Sequence, residues 1–409
     1  MDTSTSTHSL AELPPEILYM IFDFLDMNTL KSVSETCHHL NDSFSHYYCG
    51  RFMLNIRLDK VSSRESPYNA EYAVKRILQS KRCYRKVHLP VHDSWFDPNH
   101  HMYSIMYRVL LGDWSNQLVV LILEMDETTE LCGATITTAL HHMDHLKELR
   151  FLHTHEWNYP IQIFLSNLVV ENHTLELLEL EVVVPAMIHC RKLRQLIVSP
   201  HLDAETQFGK QYAQHGEAEP FWKLKHLEEF TLKRAFGERP NLTEHRPGYR
   251  CKLYEHLTKL TKLHFHASGV SEKFLQSICK SCVLLEDLFI FSLQTVDSNV
   301  LARCLSNLTH LRRLGIWRIT TPHPISFASI NAPKLEQLTL GRVDVVWESV
   351  EQLRSLKSLS IIPYFHNALR IPESFAKHVK QIESQNKRVL YATAFHHYEF
   401  DEAFQELRI

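Results

Sequence analysis

The stretch that decides the fold is residues 285–317, LEDLFIFSLQTVDSNVLARCLSNLTHLRRLGIW. It begins and ends with one motif, Leu-x-x-Leu-x-Φ, in which Φ is an apolar residue. The two copies are Leu285-Leu288-Ile290 and Leu311-Leu314-Ile316. In a strand, alternate side chains point to one face, so the last two motif positions predict a strand with one buried face. The first Leu would enter the same core from the preceding turn.

This motif recurs along most of the 409 residues. The other clear copies are Leu146-Leu149-Phe151, Leu175-Leu178-Leu180, Leu193-Leu196-Val198, Leu227-Phe230-Leu232, Leu260-Leu263-Phe265, Leu335-Leu338-Leu340 and Leu356-Leu359-Ile361, with weaker ones at Tyr84-Val87-Leu89 and Leu118-Leu121-Leu123. From residue 260 onward the copies start 25, 26, 24 and 21 residues apart, a spacing typical of leucine-rich repeats. No single unit can bury its apolar face alone, so the units are expected to stack as a solenoid.

The repeat is irregular in its first half, where the starts lie 18 to 34 residues apart. Helices are expected between strands, for example over 271–282 and 298–306. Polar segments near 200–220 and 236–250 predict surface loops, and a Pro-containing segment, 320–333, replaces one helix. We therefore expect an irregular arc rather than a regular horseshoe.

A second informative stretch lies near the N-terminus, at residues 13–40, LPPEILYMIFDFLDMNTLKSVSETCHHL. Its first helix is apolar nearly all round, whereas a helix with one buried face carries a single apolar stripe. Pro15 suits a first helical turn, and Asn28 could cap a second helix. A module of about 40 residues can barely bury one core, so the segment is expected to form half of an interface.

The ordered pattern Leu-Pro-x-Glu-Ile-Leu-x-x-Ile-Phe-x-x-Leu, followed by Leu30 and by Cys37-x-x-Leu40, closely resembles an F-box. Members of that family dock on the Skp adaptor, which joins them to a cullin–RING ubiquitin ligase. The residues that the resemblance assigns to the adaptor face are Leu13, Pro14, Ile17, Leu18, Ile21, Phe22, Leu25, Leu30 and Val33. His38, His39 and Leu40 replace the basic residue and the tryptophan that usually follow the Cys. The repeat also resembles the cysteine-containing subtype of F-box proteins, with Cys282 and Cys304 ending helices.

The predicted fold class is α/β, with a three-helix F-box followed by an irregular leucine-rich-repeat solenoid. The expected boundaries are a polar tail at 1–9, the F-box at 10–55, a helical linker at 56–80, the solenoid at 81–371 and a C-terminal cap at 372–409. The alternatives are an ordinary N-terminal helical hairpin and a chance leucine pattern.

Composition narrows the function classes. The net charge of −3 gives no general attraction to nucleic acid or membranes. Residues 1–9 do not resemble a signal peptide, and the longest aliphatic run, 118–123, is too short to span a bilayer. The nine cysteines lack a disulfide framework, which favours a reducing cytosol or nucleus. The sequons at Asn172, Asn241 and Asn307 are then chance matches.

No residue pattern indicates catalysis, a cofactor or a complete metal site. Cys279-x-x-Cys282 has half-site spacing for zinc but lacks a second pair, so core packing is the favoured interpretation. The pairs His153/His155 and His264/His266 lack an evident third ligand. A basic patch at 75–86 has one aromatic residue, Tyr84, and a solvated helix face is favoured over a nucleic-acid site.

The strand face is the expected site of a protein substrate. The proposed substrate-binding residues are His264, His266, Phe289, Phe291 and Trp317, neighbours on three successive strands. Exposed aromatic clusters often mark interaction sites, and Gly315 and Gly341 would leave a recess beside these rings. The alternative is that the rings are ordinary packing beneath a loop or the C-terminal segment.

The favoured interpretation is a non-catalytic substrate receptor of a Skp–cullin–F-box ubiquitin ligase. The second interpretation is an F-box/repeat scaffold that does not direct degradation. A receptor gated by a small molecule would need a polar pocket that the scattered cations do not form, and an independent enzyme lacks a catalytic constellation.

Overall fold

The computed structural model describes residues 9–56, 68–79, 84–100, 102–125, 132–153, 163–181, 183–198, 224–232, 257–266, 272–291, 297–317, 323–328, 330–341, 343–362, 373–385 and 388–391. The chain divides into two compact units, residues 1–192 and 193–409.

The first unit begins with a helical module. A single 3₁₀ turn, Leu10–Glu12, precedes the helices α1 (Pro15–Phe22), α2 (Met27–Ser34) and α3 (His38–Arg51). Pro15 occupies the first position of α1, as predicted, because the amide that proline lacks would have no partner there.

The cap of α2 differs from the prediction. Asp26, not Asn28, precedes the helix in an extended conformation, and its Oδ1 accepts hydrogen bonds from the backbone N–H groups of Asn28 at 2.8 Å and Thr29 at 3.0 Å. Those bonds satisfy donors that a helix start leaves unpaired. Hydrogen bonds to its carboxylate also lower the pKa of Asp26. The largest cause is the bond donated by the Thr29 hydroxyl, and the backbone N–H bonds add to it.

A parallel sheet follows in the first unit. Its strands are β1 (Leu54–Asn55), β2 (Lys86–Val91), β3 (Val120–Met125), β4 (Glu148–His153) and β6 (Leu177–Leu180), in that spatial order. The helices α4 (Tyr68–Gln79), α5 (Tyr103–Leu110) and α6 (Gly133–His142) lie between them in sequence, with 3₁₀ turns at Asp93–Phe96 and Ser115–Gln117. The short strand β1 pairs with β2, so the sheet begins directly after the helical module.

Two further strands, β5 (Ile163–Glu171) and β7 (Val183–His189), form a separate parallel pair that the repeat did not predict. β5 packs beside α6 and is fixed there by Thr137. The Thr137 hydroxyl donates to the carbonyl of Asn167 at 3.0 Å and accepts from the N–H of Val169 at 2.9 Å. In chain order β5 follows β4 and β7 follows β6, so each stands where other repeats have a helix after the strand.

The second unit continues the repeat with further parallel strands of the same sheet. In spatial order its strands are β8 (Gln195–Val198), β9 (Glu229–Leu232), β10 (Lys262–His266), β11 (Asp287–Phe291), β12 (Arg313–Trp317), β13 (Gln337–Gly341), β14 (Ser358–Ile362) and β15 (Arg388–Tyr391). The helices are α7 (Glu272–Ser281), α8 (Ser298–Ser306), α9 (Trp347–Glu351) and α10 (Glu373–Ser384).

The register confirms that the motif residues stack. Leu288 lies opposite Leu314, and Leu314 opposite Leu338, on successive parallel strands. These three side chains are at most 2% exposed. Fully burying one such side chain contributes about 1.5–3 kcal/mol, so each repeat adds its share to one continuous core.

Two other features of the repeat, the segment without a helix and the C-terminal elements, follow the expected pattern where they are described. Within described residues of segment 320–333 there is no helix, and Ile325 instead bridges to Val345. The expected C-terminal helix and strand are α10 and β15, and β15 pairs in parallel with β14. The last amphipathic segment, after residue 391, and the polar segments near 200–220 and 236–250 lie outside the described residues.

Among the helices that the structure describes, none combines the length and the apolar character needed to cross a bilayer.

Candidate functional site

Helix α1 carries apolar side chains on two opposite faces. Leu18 and Phe22, four residues apart, are 0% and 1% exposed and point into the module. Ile17 and Met20 on α1 are 43% and 60% exposed, and Phe24, in the turn that follows the helix, is 88% exposed. We call these three residues the α1 surface patch. Large exposed apolar side chains that are grouped together often mark an interaction surface.

The predicted adaptor residues fall into three groups. Leu18, Phe22 and Leu30 are buried together with Leu40, Phe44 and Tyr47, so they lie beneath the surface that an adaptor would contact, as predicted for Leu30 but not for Leu18 and Phe22. Three short helices have only one shared interior, and these side chains fill it. Leu13, Leu25 and Val33 are partly buried against that core, and Ile21 is half-buried. Pro14 and Ile17 are exposed.

Met20 and Phe24 are the exposed residues that the sequence reasoning missed. The signal was present as a second apolar series, residues 17, 20 and 24, offset from the series 18 and 22. Two interleaved helical series predict one buried and one exposed apolar face.

The end of α1 is held against α3 through Asp23. The Tyr47 hydroxyl donates to Oδ1 of Asp23 at 2.8 Å, and Arg51 Nη2 donates to its Oδ2 at 3.0 Å. The Arg51 guanidinium also lies over the Tyr47 ring, 4.9 Å from its centroid. Burial, followed by the hydrogen bond to Asp23, raises the pKa of Tyr47. These contacts orient the α1 surface patch next to Asp23.

The aromatic cluster on the strand face differs from the prediction in its exposure. Phe289 and Trp317 are only 5% and 6% exposed. A Cβ atom added to Gly315 would lie 1.8 Å from Cδ2 of Phe289, and one added to Gly341 would lie 2.2 Å from Cε3 of Trp317. Each ring therefore covers the glycine of the next strand, and the expected recess is filled by the chain's own side chains.

His264 is also buried, at 9% exposure, and its neighbours are charged. Its Nε2 lies 3.1 Å from Oδ1 of Asp287, and Arg313 Nη2 lies 3.0 Å from Oδ2 of the same carboxylate. The His264 ring meets Phe289 edge-on at 5.9 Å. Burial alone would raise the pKa of Asp287, but the hydrogen bond and charge of His264, with the charges of Arg313 and Lys262, lower it overall.

Two predicted substrate residues remain. His266 belongs to β10 and Phe291 to β11, and only their backbone is part of the described structure. The strand register places His266 opposite Phe291, and Phe291 opposite Trp317. The five residues thus occupy adjacent strands, as predicted.

The ring-on-glycine contact gives a stability prediction. We expect Gly315→Ala to cost about 1–3 kcal/mol of unfolding free energy, because the new methyl group displaces the Phe289 ring. In the double variant Phe289→Ala/Gly315→Ala this cost should disappear, so the two changes should be strongly non-additive in a urea-unfolding cycle. Gly50→Ala is the control: no atom lies within 4 Å of its added Cβ on α3, and helix propensity predicts unchanged or higher stability. Strict additivity would contradict the contact.

The pair Cys279 and Cys282 belongs to the hydrophobic core. Cys279 and Cys282 are both fully buried, and burial raises the pKa of the Cys282 thiol to about 12. The pKa of Cys279 is raised first by its hydrogen bond with Cys304 and then by burial. Such thiols stay protonated at neutral pH, whereas zinc binding and disulfide exchange use thiolates. Among the described residues no group of three or more His, Cys, Asp or Glu could hold a metal ion.

The remaining candidates from the sequence are the pair His153/His155 and the basic patch at 75–86, and both lie partly outside the described residues. His155 is not described, and of His153 only the backbone is. Lys75 and Arg76 are exposed on α4, and Arg85 is exposed before β2, whereas residues 80–83 are not described.

Comparison with known proteins identifies the helical module. Residues 10–47 match the family described as F-box-like. No curated protein matches the sequence. The structure of a complex of TLR13 with ssRNA13 is similar at 14% identity and a TM-score of 0.38, over 76% of this chain and 41% of that one. A protein from Bacteroides fragilis is similar at 10% identity and a TM-score of 0.36, over 80% of this chain and 83% of that one.

This chain thus spans less than half the length of the TLR13 chain. The fold assignment stands on the motif, the parallel strands and their register. F-box domains act in protein–protein interaction, which agrees with the exposed apolar patch on α1. Residues 10–47 are therefore an F-box-like domain, placed ahead of leucine-rich-repeat strands.

Proposed function

We propose that this protein is the substrate-recognition subunit of a Skp–cullin–F-box ubiquitin ligase. The helical module would bind the Skp adaptor, and the repeat strands would bind a protein destined for ubiquitination. The cytosol and the nucleus, where such ligases work, are the corresponding compartments.

The α1 surface patch is the observation that carries this proposal. Phe24 is 88% exposed and Met20 60% exposed, although both are large and apolar. Leaving such side chains in water is unfavourable, and burying each would contribute about 1.5–3 kcal/mol. The patch lies within the F-box-like residues 10–47, the part of the family that docks on the adaptor. Pro14, which is also exposed, precedes α1 and extends the patch toward the N-terminus.

The strand face supplies the second binding surface in the proposal. Of the five predicted substrate residues, His264, Phe289 and Trp317 are buried, so substrate contacts would come from the polar groups around them. Arg313 is the most accessible of these, with its side chain 49% exposed above the buried Asp287 carboxylate. Phe289 and Trp317 would then support the surface from below.

The proposed mechanism is proximity. The transfer chemistry would belong to other subunits of the ligase, and this chain would raise the effective concentration of the substrate near the charged conjugating enzyme. No catalytic group of this chain is required.

The proposal is tested by comparing the proteins captured from cells by the intact chain and by a form lacking residues 10–47. We expect both forms to capture the substrate, and only the intact form to capture the adaptor and cullin. The substrate's lifetime should increase on cullin inhibition and also when the form lacking residues 10–47 is overproduced. A captured partner whose lifetime is unchanged by both treatments would indicate a scaffold and contradict the receptor function.

A further inference from the structure

The turns that enter strands β8–β14 form a basic edge in the second unit. We call this set, at residues 193–194, 224–228, 257–261, 282–286, 307–312, 330–336 and 352–357, the turn edge. Its exposed cations are Arg194, Lys225, Lys259, Arg312, Lys334, Arg354 and Lys357, and its acidic residues are Glu228, Glu286 and Glu336. Seven cations against three carboxylates give this edge a local excess of positive charge, whereas the whole chain has a net charge of −3.

The three glutamates are already neutralised by cations on neighbouring strands. Glu228 pairs with Arg194 at 3.9 Å and Glu286 with Arg312 at 3.7 Å. Glu336 pairs with Lys357 at 2.9 Å, and that hydrogen bond is the main reason why its pKa is lowered.

Two of the remaining cations lie next to histidines. Lys259 Nζ lies 3.2 Å from Nδ1 of His226, and Lys334 Nζ lies 3.3 Å from Nδ1 of His310. Within the described part of the chain, no carboxylate forms an ion pair with Lys334 or Arg354. Among the described residues the same is true of Lys225 and Lys259, and Lys334 and Arg354 differ from them because they share a cleft.

Lys334 and Arg354 line a common cleft of about 620 Å³. Its charged lining consists of Arg312, Lys334, Arg354 and Lys357, with Glu336 as the only carboxylate among the lining residues. Since Glu336 is satisfied by Lys357, the cleft presents a net positive surface to anything that enters it. Clefts lined by charge of one sign attract and concentrate ligands of the opposite sign.

The turn edge also carries an apolar element, which helps to define the partner. Val283 and Leu284, in the turn before β11, are 45% and 43% exposed. No Phe, Tyr or Trp lies in these turns as described, whereas single-stranded nucleic acids are held by stacking on aromatic rings. Neighbouring strands are about 4.8 Å apart, so the cations recur at short intervals along the edge.

From the basic cleft and the neighbouring apolar pair, we propose that the turn edge binds an acidic, extended protein segment. Its carboxylates would meet Lys334 and Arg354 in the cleft, and one apolar side chain would meet Val283 and Leu284. The turn edge consists of other residues than the α1 surface patch and the strand face, so it would be an additional docking site.

The test uses the full chain and a fluorescein-labelled poly-Glu peptide with one central Leu, followed by fluorescence anisotropy at low and at raised salt. The variant Lys334→Ala/Arg354→Ala should weaken binding about tenfold, which corresponds to about 1.4 kcal/mol, because both charges in the cleft that lack a carboxylate partner are removed. The matched control is Arg303→Ala/Lys377→Ala, two exposed cations on α8 and α10, which should change Kd by less than about twofold.

Equal weakening by the two double variants would overturn the proposal, because binding would then follow net charge alone. An oligo-dT strand that binds more tightly than the peptide, with the same dependence on Lys334 and Arg354, would also overturn it in favour of a nucleic-acid site. Changes in the α1 surface patch should leave peptide binding unaffected, so this proposal and the proposed adaptor function fail independently.

Discussion

The variant Ile17→Ala/Met20→Ala/Phe24→Ala is expected to abolish capture of the Skp adaptor while leaving the fold intact. Central apolar anchors of an interface commonly contribute 2 kcal/mol or more each, although not additively. A combined loss of about 4 kcal/mol would raise the Kd close to a thousandfold. The exposure of all three side chains predicts almost no change in the midpoint of thermal unfolding.

Two comparisons make this result specific. His39→Ala/Asp42→Ala/His46→Ala changes three exposed residues of α3 in the same module and should retain adaptor binding. Leu18→Ala removes a fully buried side chain and should destabilise the module by about 2–5 kcal/mol, losing binding through unfolding. If the α1 triple variant bound the adaptor as tightly as the unmodified chain, the patch would not be the docking surface.

The second large effect is expected at Asn172, which is only 4% exposed between β5 and β6. Its Nδ2 donates to the carbonyls of Leu140 at 2.9 Å and Met143 at 3.0 Å. Its Oδ1 accepts from the N–H groups of Thr174 and Leu175, both at 2.9 Å, and from the Thr174 hydroxyl at 3.0 Å. One amide therefore ties the end of α6 to the turn that enters β6.

Replacing Asn172 with Ala should cost about 3–5 kcal/mol of unfolding free energy, because the N–H groups of Thr174 and Leu175 would lose their acceptor and two buried carbonyls would each lose a donor. Asn172→Asp keeps the acceptor but loses both donations and places a carboxylate against two carbonyls, so it should be no better than Ala. Asn307→Ala, at an exposed helix end, is the control and should cost less than about 0.5 kcal/mol. Urea unfolding distinguishes these values; a cost below 1 kcal/mol for Asn172→Ala would contradict this role.

The same contacts support the prediction that the Asn172 sequon is a chance match. Both hydrogens of the amide nitrogen are engaged within the protein, and the side chain is buried, so it is not available for glycosylation. The sequence analysis noted this residue only as a sequon, since its five hydrogen bonds depend on a turn that a single sequence does not reveal.

The strands were predictable because they depend on a local pattern. Motif residues such as Leu288 and Leu314 have period-two neighbours within a few positions, and each predicts one buried strand face without knowledge of the rest. The pair β5 and β7 was missed because its pairing joins residues about 20 apart and replaces a helix that the repeat would favour.

The exposure of the aromatic residues was not predictable from one strand alone. Phe289 looks exposed when β11 is read by itself, and it is buried because Gly315 on the next strand leaves room for its ring. The clue was the large-beside-small pairing of Phe289 with Gly315 and of Trp317 with Gly341, which becomes visible only once the register is known. On α1, the predicted adaptor set similarly contained both the buried residues Leu18 and Phe22 and the exposed residue Ile17.

The central claim, that the α1 surface patch holds the adaptor, is tested most directly by hydrogen–deuterium exchange of the full chain with and without purified Skp adaptor. We predict slower exchange in residues 10–47, greatest along α1, with exchange in strands β8–β14 unchanged. Protection confined to the repeat strands, or no protection anywhere at saturating adaptor, would contradict the account.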